Sequence, residues 1–325
     1  MRFIVTGGSG FVGKALINRL SSLYPNIEIH NIDITSNDSD ISNLQNHSID
    51  IRNLDSLMSF KLNKDDVVYH LAANIFNEMI PYRTKRASWF KELNIGGTKN
   101  ILAAMEEMNA KRIAFVSTDM VYGTPETNPV LVSHALNPNG PYGESKVEAE
   151  RLVWQFSNNS DNKSIIFRPR VIVGPGRFGL LNKLFYLIKR NLPIPLIGSG
   201  KNRYQFISVY DCVEALVQFH QLKYPTGLYN LGSIDPPTIY ELLTSLIEKS
   251  NSKSILVPTQ GYVVKQILNV LDIVNLSLLY PEQFMLADHD FVLDISKLEK
   301  DLGFKPKFND EDMLYEAYES YLAQF

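Results

Sequence analysis

A single cysteine, Cys212, stands among 325 residues. It excludes an internal disulfide and leaves no thiolate cluster for zinc, and no metal is expected. Charge of one sign is also scarce. A net charge of −3, from 32 basic and 35 acidic residues, argues against a broad nucleic-acid surface. No uninterrupted apolar run reaches the roughly 18 residues needed to cross a bilayer. The apolar start is too short for a secretory leader, and glycines interrupt it. A soluble, cytoplasmic chain is therefore expected. Apolar material is plentiful: 45% of residues are hydrophobic, enough for one large domain or two unequal ones.

Strands and helices alternate from residue 2 to about 175. Strands are expected at 3–5, 29–32, 67–71, 113–117 and 164–167, with helices near 11–23, 54–60, 86–108 and 143–157. That order predicts an α/β fold, a doubly wound parallel sheet covered on both faces. Residues 36–48, rich in Ser, Asn and Asp, read as a polar loop. After Gly174-Pro-Gly176 the pattern changes. Helices near 178–191, 211–223, 238–250 and 262–280 alternate with short strands near 194–197, 205–209, 228–231 and 255–257. The expected division is a nucleotide domain at 1–175 and a smaller α/β part at 176–325, interleaved with it. Tyr262 to Tyr280 is strongly apolar apart from Lys265, Gln266, Asn269, Asp272 and Asn275. It reads as an amphipathic helix whose apolar face packs on the core or lines a pocket. Contact with a membrane surface or a lipid-like substrate is the other reading.

The run Met1-Arg-Phe-Ile-Val-Thr-Gly-Gly-Ser-Gly-Phe-Val-Gly13 is a strand entering a glycine turn, with an amphipathic helix after it. That context turns glycines into a dinucleotide site. Gly7 permits the tight turn, Gly10 the approach of a pyrophosphate, and Gly13 close helix packing. The helix N-terminus offers free N–H groups to phosphate. The next strand ends at Asp33, 20 residues after Gly13. A carboxylate there accepts both ribose hydroxyls and repels a 2′-phosphate. No arginine follows it, so NAD is favoured over NADP.

Tyr142 and Lys146 are four residues apart, one turn along a helix. A tyrosine base needs a lowered pKa, which nearby cations provide. Pro138 and Pro141 mark the loop that enters this helix, and the strand before it ends in the hydroxyls Ser117 and Thr118. A dinucleotide turn, a hydroxyl and a Tyr/Lys pair together describe hydride transfer at a carbinol.

The ordered motifs resemble the extended short-chain dehydrogenase/reductase family, which contains NAD-dependent nucleotide-sugar epimerases and dehydratases. They are Thr6 to Gly13, Asp50-Ile-Arg52, His70-Leu-Ala-Ala73, Asn94 to Thr98, Ser117 to Gly123, Tyr142 to Lys146 and Arg168 to Gly176. Asp294 to Lys297 with Leu302-Gly303 resembles the family's closing motif. The resemblance implies a Rossmann-type fold with a mainly C-terminal substrate-binding part. It implies Thr118, Tyr142 and Lys146 as catalytic residues, with Asn94 in support. It places NAD against Gly7, Gly10, Phe11, Val12, Gly13, Asp33, Asp50, Ile51, Leu71, Ala72, Ala73, Ser117, Tyr142 and Lys146. It also implies a homodimer formed by the helices at 86–108 and 143–157. Their apolar residues, Leu93, Ile101, Leu102, Met105, Val147, Leu152, Val153 and Phe156, suit an interface or the core equally.

Two departures narrow the reaction. Family dehydratases follow the threonine with an Asp–Glu acid/base pair, whereas Thr118 here precedes Asp119 and Met120. A methionine abstracts no proton, so dehydration is disfavoured, and decarboxylation with it. The usual sugar-nucleotide asparagine is replaced by Val171. Arg170, Arg177, Asn202 and Arg203 are the candidate contacts for phosphate or sugar. The leading expectation is an NAD-dependent epimerase of a nucleotide sugar. A net oxidoreductase is the alternative, as a keto-sugar reductase, a nucleotide-sugar dehydrogenase or a 3β-hydroxysteroid-type dehydrogenase. A catalytically silent dinucleotide-binding module is the third.

Overall fold

Strands buried on both faces carry apolar runs without alternation, and that composition shapes the centre of this protein. The computed structural model describes residues 1–75, 81–179, 181–276 and 279–324. Among them the strands are β1 (Phe3–Thr6), β2 (Ile29–Asp33), β3 (Leu44–Ser48), β4 (Val67–His70), β5 (Arg112–Val116), β6 (Lys163–Pro169), β7 (Val171–Val173), β8 (Ile194–Leu196), β9 (Phe206–Ser208), β10 (Gly227–Leu231) and β11 (Leu256–Pro258). The helices are α1 (Phe11–Leu23), α2 (Leu54–Ser59), α3 (Arg83–Phe90), α4 (Thr98–Glu107), α5 (Pro141–Phe156), α6 (Leu181–Lys189), α7 (Val209–Gln221), α8 (Ile239–Lys249), α9 (Gly261–Ile273), α10 (Pro281–Phe284), α11 (Ser296–Leu302) and α12 (Asp310–Leu322).

Seven strands form one sheet in the order β10-β6-β5-β4-β1-β2-β3, and every pairing in it is parallel. Side chains alternate across it. Phe3 and Val5 enter a core with Leu16, Ile17 and Leu20 of α1, Leu216 and Phe219 of α7 and Leu298 of α11. Ile4, Val68, Ile113 and Ile166 enter the opposite core with Ile101 and Met105 of α4 and Val153 and Phe156 of α5. A third core joins α6, β8, α8 and α12 through Phe185, Leu196, Leu242 and Tyr318. The order turns back on itself between β1 and β4. Ligands of doubly wound sheets bind at such a switch, beyond the strand C-termini.

Several expectations are corrected here. Residues 44–48 are not loop but the edge strand β3, paired with β2 from Leu44 to Ser48. An edge strand has a solvent side, so polar residues serve it and hide it from sequence reading. The strand near 228–231 lies not in the smaller part but in the large sheet, as β10 beside β6. The helix expected at 86–108 is broken by a π-helical stretch, Lys91–Gly97. Gly96 and Gly97 are weak helix formers, and a Cβ on Gly97 would lie 2.6 Å from Ile51. Residues 180, 277 and 278 of two expected helices lie outside the described residues. Most of the apolar residues that suited an interface or the core equally are core. Ile101, Leu102, Met105, Val153 and Phe156 are core, with Leu93 and Leu152 packed against them, and Val147 packs on Val121 and Tyr122.

The 262–280 segment is also not one helix. It stops at Ile273, and a separate turn, α10, follows. Two of its polar residues are engaged within the protein: Asp272 pairs with Arg86 at 2.7 Å, and Lys265 donates to the Met285 carbonyl and pairs with Asp288, whereas Gln266 and Asn275 are exposed. Val264 and Leu268 line a cavity. Tyr262, Ile267, Val270 and Ile273 face outward, 55–75% exposed. Each outward aliphatic residue forgoes roughly 1.5–3 kcal/mol that burial would provide. Among the described residues, no helix is long and apolar enough to cross a membrane.

Candidate active site

A cavity of roughly 1070 Å³ opens at the switch point. Gly7, Gly10, Phe11, Val12 and Gly13 line it at the start of α1, with Asp33 from β2. Gly7 has φ +73°, and a Cβ there would lie 2.7 Å from Ala72 N. On Gly13 a Cβ would meet the Gly7 carbonyl at 2.2 Å and Gly8 Cα at 2.6 Å. No side chain caps α1 at Gly10, which leaves first-turn N–H groups for an anion. The Asp33 carboxylate accepts from Ser9 N at 3.1 Å and Thr35 N at 3.2 Å, beside the turn. Asp50, Ile51, Leu71, Ala72, Ala73 and Ser117 complete this end. Asp50 is held low by its hydrogen bonds to Arg52, 2.6 Å away. This glycine cradle, uncapped helix and ribose-height carboxylate fit a dinucleotide.

Tyr142, Lys146 and Thr118 line the same cavity. Pro141 sits in the first turn of α5, where its missing N–H costs nothing. The lowering expected from nearby cations is not what the protein alone provides: burial pushes the Tyr142 phenol well above its ordinary value. Its hydrogen bond to Thr118 and the charge of Arg177 pull it down, while Asp119 and Glu282 push it up. Lys146 donates to the Val116 carbonyl at 2.7 Å and lies 4.2 Å above the Phe115 ring. Burial lowers its ammonium to about 7, against the pull of Glu150.

Asn94 does not line the cavity; it ties together the elements that do. From the π-helical stretch it donates to the Asn74 carbonyl at 3.0 Å and to Ser145 Oγ at 2.9 Å, and accepts from Asn74 N at 2.7 Å. Ser145 in turn donates to the Tyr142 carbonyl. π-helical turns often mark functional sites, and this one sets the Asn94 side chain between β4 and α5. A second buried chain lies beneath: Thr6 meets His70 Nδ1 at 2.7 Å, and His70 Nε2 meets Thr98 at 2.9 Å.

Burial and the Lys146 charge depress His70 to about 3. The unfolded chain takes up this proton below about 6.5, whereas the folded chain refuses it until about 3. Stability from this group is therefore full above pH 6.5 and lost as pH falls toward 3. Urea unfolding of wild type and His70→Gln should show it: the variant has the shallower decline between pH 6.5 and 4. Parallel declines would contradict this.

On the substrate side the structure separates the four candidates. Arg177 lines the cavity, 5.7 Å from the Phe11 ring centroid, near enough to Tyr142 to act on its charge. Arg170 also lines it but is committed elsewhere. Its Nη1 pairs with Asp119, and its fully buried guanidinium lies against the rings of Tyr204 and Phe291, so one of its donors is already taken within the protein. Asn202 and Arg203 are not at the cavity. Asn202 donates to the carbonyls of Ala287 and His289, and Arg203 to that of Pro236; both hold loops. Sequence reasoning missed Glu282. It lines the cavity and accepts from the N–H groups of Tyr142 and Gly143 at 3.2 Å each. Burial lifts its carboxyl to about 7, opposed by those hydrogen bonds. No local pattern joins residues 140 positions apart.

Comparison with known proteins agrees with this geometry. Residues 3–232 match the model of the NAD dependent epimerase/dehydratase family. The uncharacterized protein y4nG of Sinorhizobium fredii is 28% identical over 320 residues, 98% of this chain and 78% of that one. Human dTDP-D-glucose 4,6-dehydratase is 30% identical over 268 residues, 78% of this chain and 76% of that one. The UDP-glucose 4-epimerase of Thermotoga maritima, solved with UDP-glucose, superposes with a TM-score of 0.78 at 21% identity, covering 100% of this chain and 99% of that one. With a parallel sheet, a glycine cradle and a Tyr/Lys pair at one switch point, the chain is an enzyme of the NAD-dependent epimerase/dehydratase family, with NAD as its cofactor.

Proposed function

We propose that the chain is an epimerase of a nucleotide-activated sugar, with Tyr142 as the base. One observation carries the reading. Tyr142, Thr118 and Lys146 share the cavity with the glycine turn, while the two positions for a dehydratase acid/base pair are spent. Met120 has no titratable group, and Asp119 is paired with Arg170. Gly7 to Gly13 and Asp33 hold the dinucleotide. NAD, when bound, supplies reversible hydride transfer at the sugar C4. Tyr142 takes the C4 hydroxyl proton and later returns it. Thr118 orients that hydroxyl, and Lys146 binds the ribose next to the nicotinamide. Arg177 supplies positive charge for the substrate phosphates.

The test is a panel of UDP- and dTDP-hexoses, followed at 340 nm and by chromatography of the sugars. C4 epimers interconverting without net NADH formation is the expected result. Steady NADH formation or consumption would replace the epimerase with an oxidoreductase. That second reading has its own support: Leu184, Leu187, Leu242, Leu243, Val264 and Leu268 give the far end of the cavity an apolar lining, as a hydroxysteroid-type substrate would need. A homodimer is also proposed, and a sedimentation mass of one chain would exclude it.

The role given to Asp33 makes its own prediction. Hydrogen bonds to a charged group are worth about 1.5–3 kcal/mol. Asp33→Ala should weaken NAD binding roughly 10- to 100-fold in a fluorescence titration and narrow the preference over NADP. Unchanged affinity would place the ribose elsewhere.

A further inference from the structure

Arg170 stands one residue beyond β6, fully buried, where a polar side chain is costly. Its guanidinium lies 4.0 Å from the Tyr204 ring centroid and 4.1 Å from that of Phe291. Only Nη1 is engaged, on Asp119. Nε and Nη2 have no hydrogen-bond partner among the described residues. Two residues earlier, Arg168 uses that same pair of atoms on Glu150, at 2.9 and 2.6 Å. A buried guanidinium with idle donors destabilises a fold relative to an apolar side chain of its size. Packing alone does not account for it.

The contacts of its partner point to the reason. Asp119 Oδ1 accepts the Thr118 hydroxyl at 3.2 Å, and Thr118 is hydrogen-bonded to the Tyr142 hydroxyl. A threonine has one hydroxyl proton. While that proton lies on Asp119, Thr118 can only accept from Tyr142, and the downward pull that a donating Thr118 exerts on the phenol is withheld. When Tyr142 ionises, the proton must turn from Asp119 to the phenolate. The strength of Asp119 as competitor depends on Arg170, whose charge offsets the carboxylate. The other charged groups near Tyr142 are Arg177 after β7, Glu282 of α10 and Lys146 one turn along α5.

We propose that Arg170 is a positioning residue for Tyr142: through its ion pair with Asp119 it governs which way the Thr118 hydroxyl proton points. The proposal rests on the reading of Tyr142 as base. Its test reads ionisation directly, independent of which sugar reacts. The 13C resonance of Tyr142 Cζ is followed against pH in protein saturated with NAD, and is assigned by its loss in Tyr142→Phe. Arg170→Met should raise the midpoint by about one pH unit, a tenfold change in the ionisation constant. Asp119→Asn, which keeps the ring stack, should lower it by a similar amount. The double variant should return close to wild type. Should Arg170→Met fail to fold, Arg170→Gln, which keeps a donor for Asp119 but not the charge, takes its place with the same expected rise. A wild-type midpoint that ignores the variants, or a double variant shifted as far as Arg170→Met, overturns the proposal alone. No wild-type ionisation, with Tyr142→Phe fully active, removes the base and the proposal together.

Discussion

Tyr142→Phe should lower turnover on the responsive nucleotide sugar by about 10²–10⁴-fold, the usual contribution of a positioned acid/base group. The substitution removes one oxygen and leaves the ring in place. That ring packs with Phe90, their centroids 5.3 Å apart, so the fold has little reason to change. KM and NAD content should stay near wild type, because the loss falls on the transition state and not on binding. Thermal unfolding and bound-nucleotide analysis of the same preparation separate the two effects. Turnover within a few-fold of wild type would show that another group moves the proton. Glu282, in the same cavity with its carboxyl near 7, would be the first to examine.

Gly13→Ala should have the other large effect, on cofactor retention. The new methyl would sit 2.2 Å from the Gly7 carbonyl and 2.6 Å from Gly8 Cα. Both are backbone atoms of the turn, so no side chain can swing away to make room. Overpacking of this kind costs about 1–3 kcal/mol, and here the strain falls on the cradle itself. NAD affinity should drop by at least about tenfold, and the melting temperature should fall too. Calorimetric titration and thermal unfolding check both. Gly10→Ala is a control for the fold alone: its nearest neighbour would be the Gly7 carbonyl at 3.2 Å, so the melting temperature should fall less, although its methyl would still face the pyrophosphate. Wild-type affinity in Gly13→Ala would mean that α1 can shift, and that the close approach is not required.

The legible part of this protein is the part written in local signals. The turn Gly7 to Gly13, the acid closing β2 and the four-residue step from Tyr142 to Lys146 each sit within one or two elements, and they meet at one cavity. Side chains with distant partners were not legible. The ion pair of Arg170 was hidden because its partner, Asp119, is 51 residues away on another element. Asn202 and Arg203 had the right composition for a binding loop, but backbone carbonyls of 287, 289 and 236 take their donors. β3 escaped because an edge strand tolerates polar residues. In the 262–280 segment the expected pocket lining is present in Val264 and Leu268, but the buried ion pair of Asp272 with Arg86, 186 residues away, was not legible.

The most direct measurement is made on the purified protein as isolated. It is denatured, and the released nucleotide is identified and counted per chain. A redox-neutral epimerase keeps its cofactor through every cycle, so close to one NAD per chain is expected. A protein that releases none, yet binds NAD or NADH reversibly, would contradict the epimerase and favour a net oxidoreductase; release of NADP would contradict the role of Asp33.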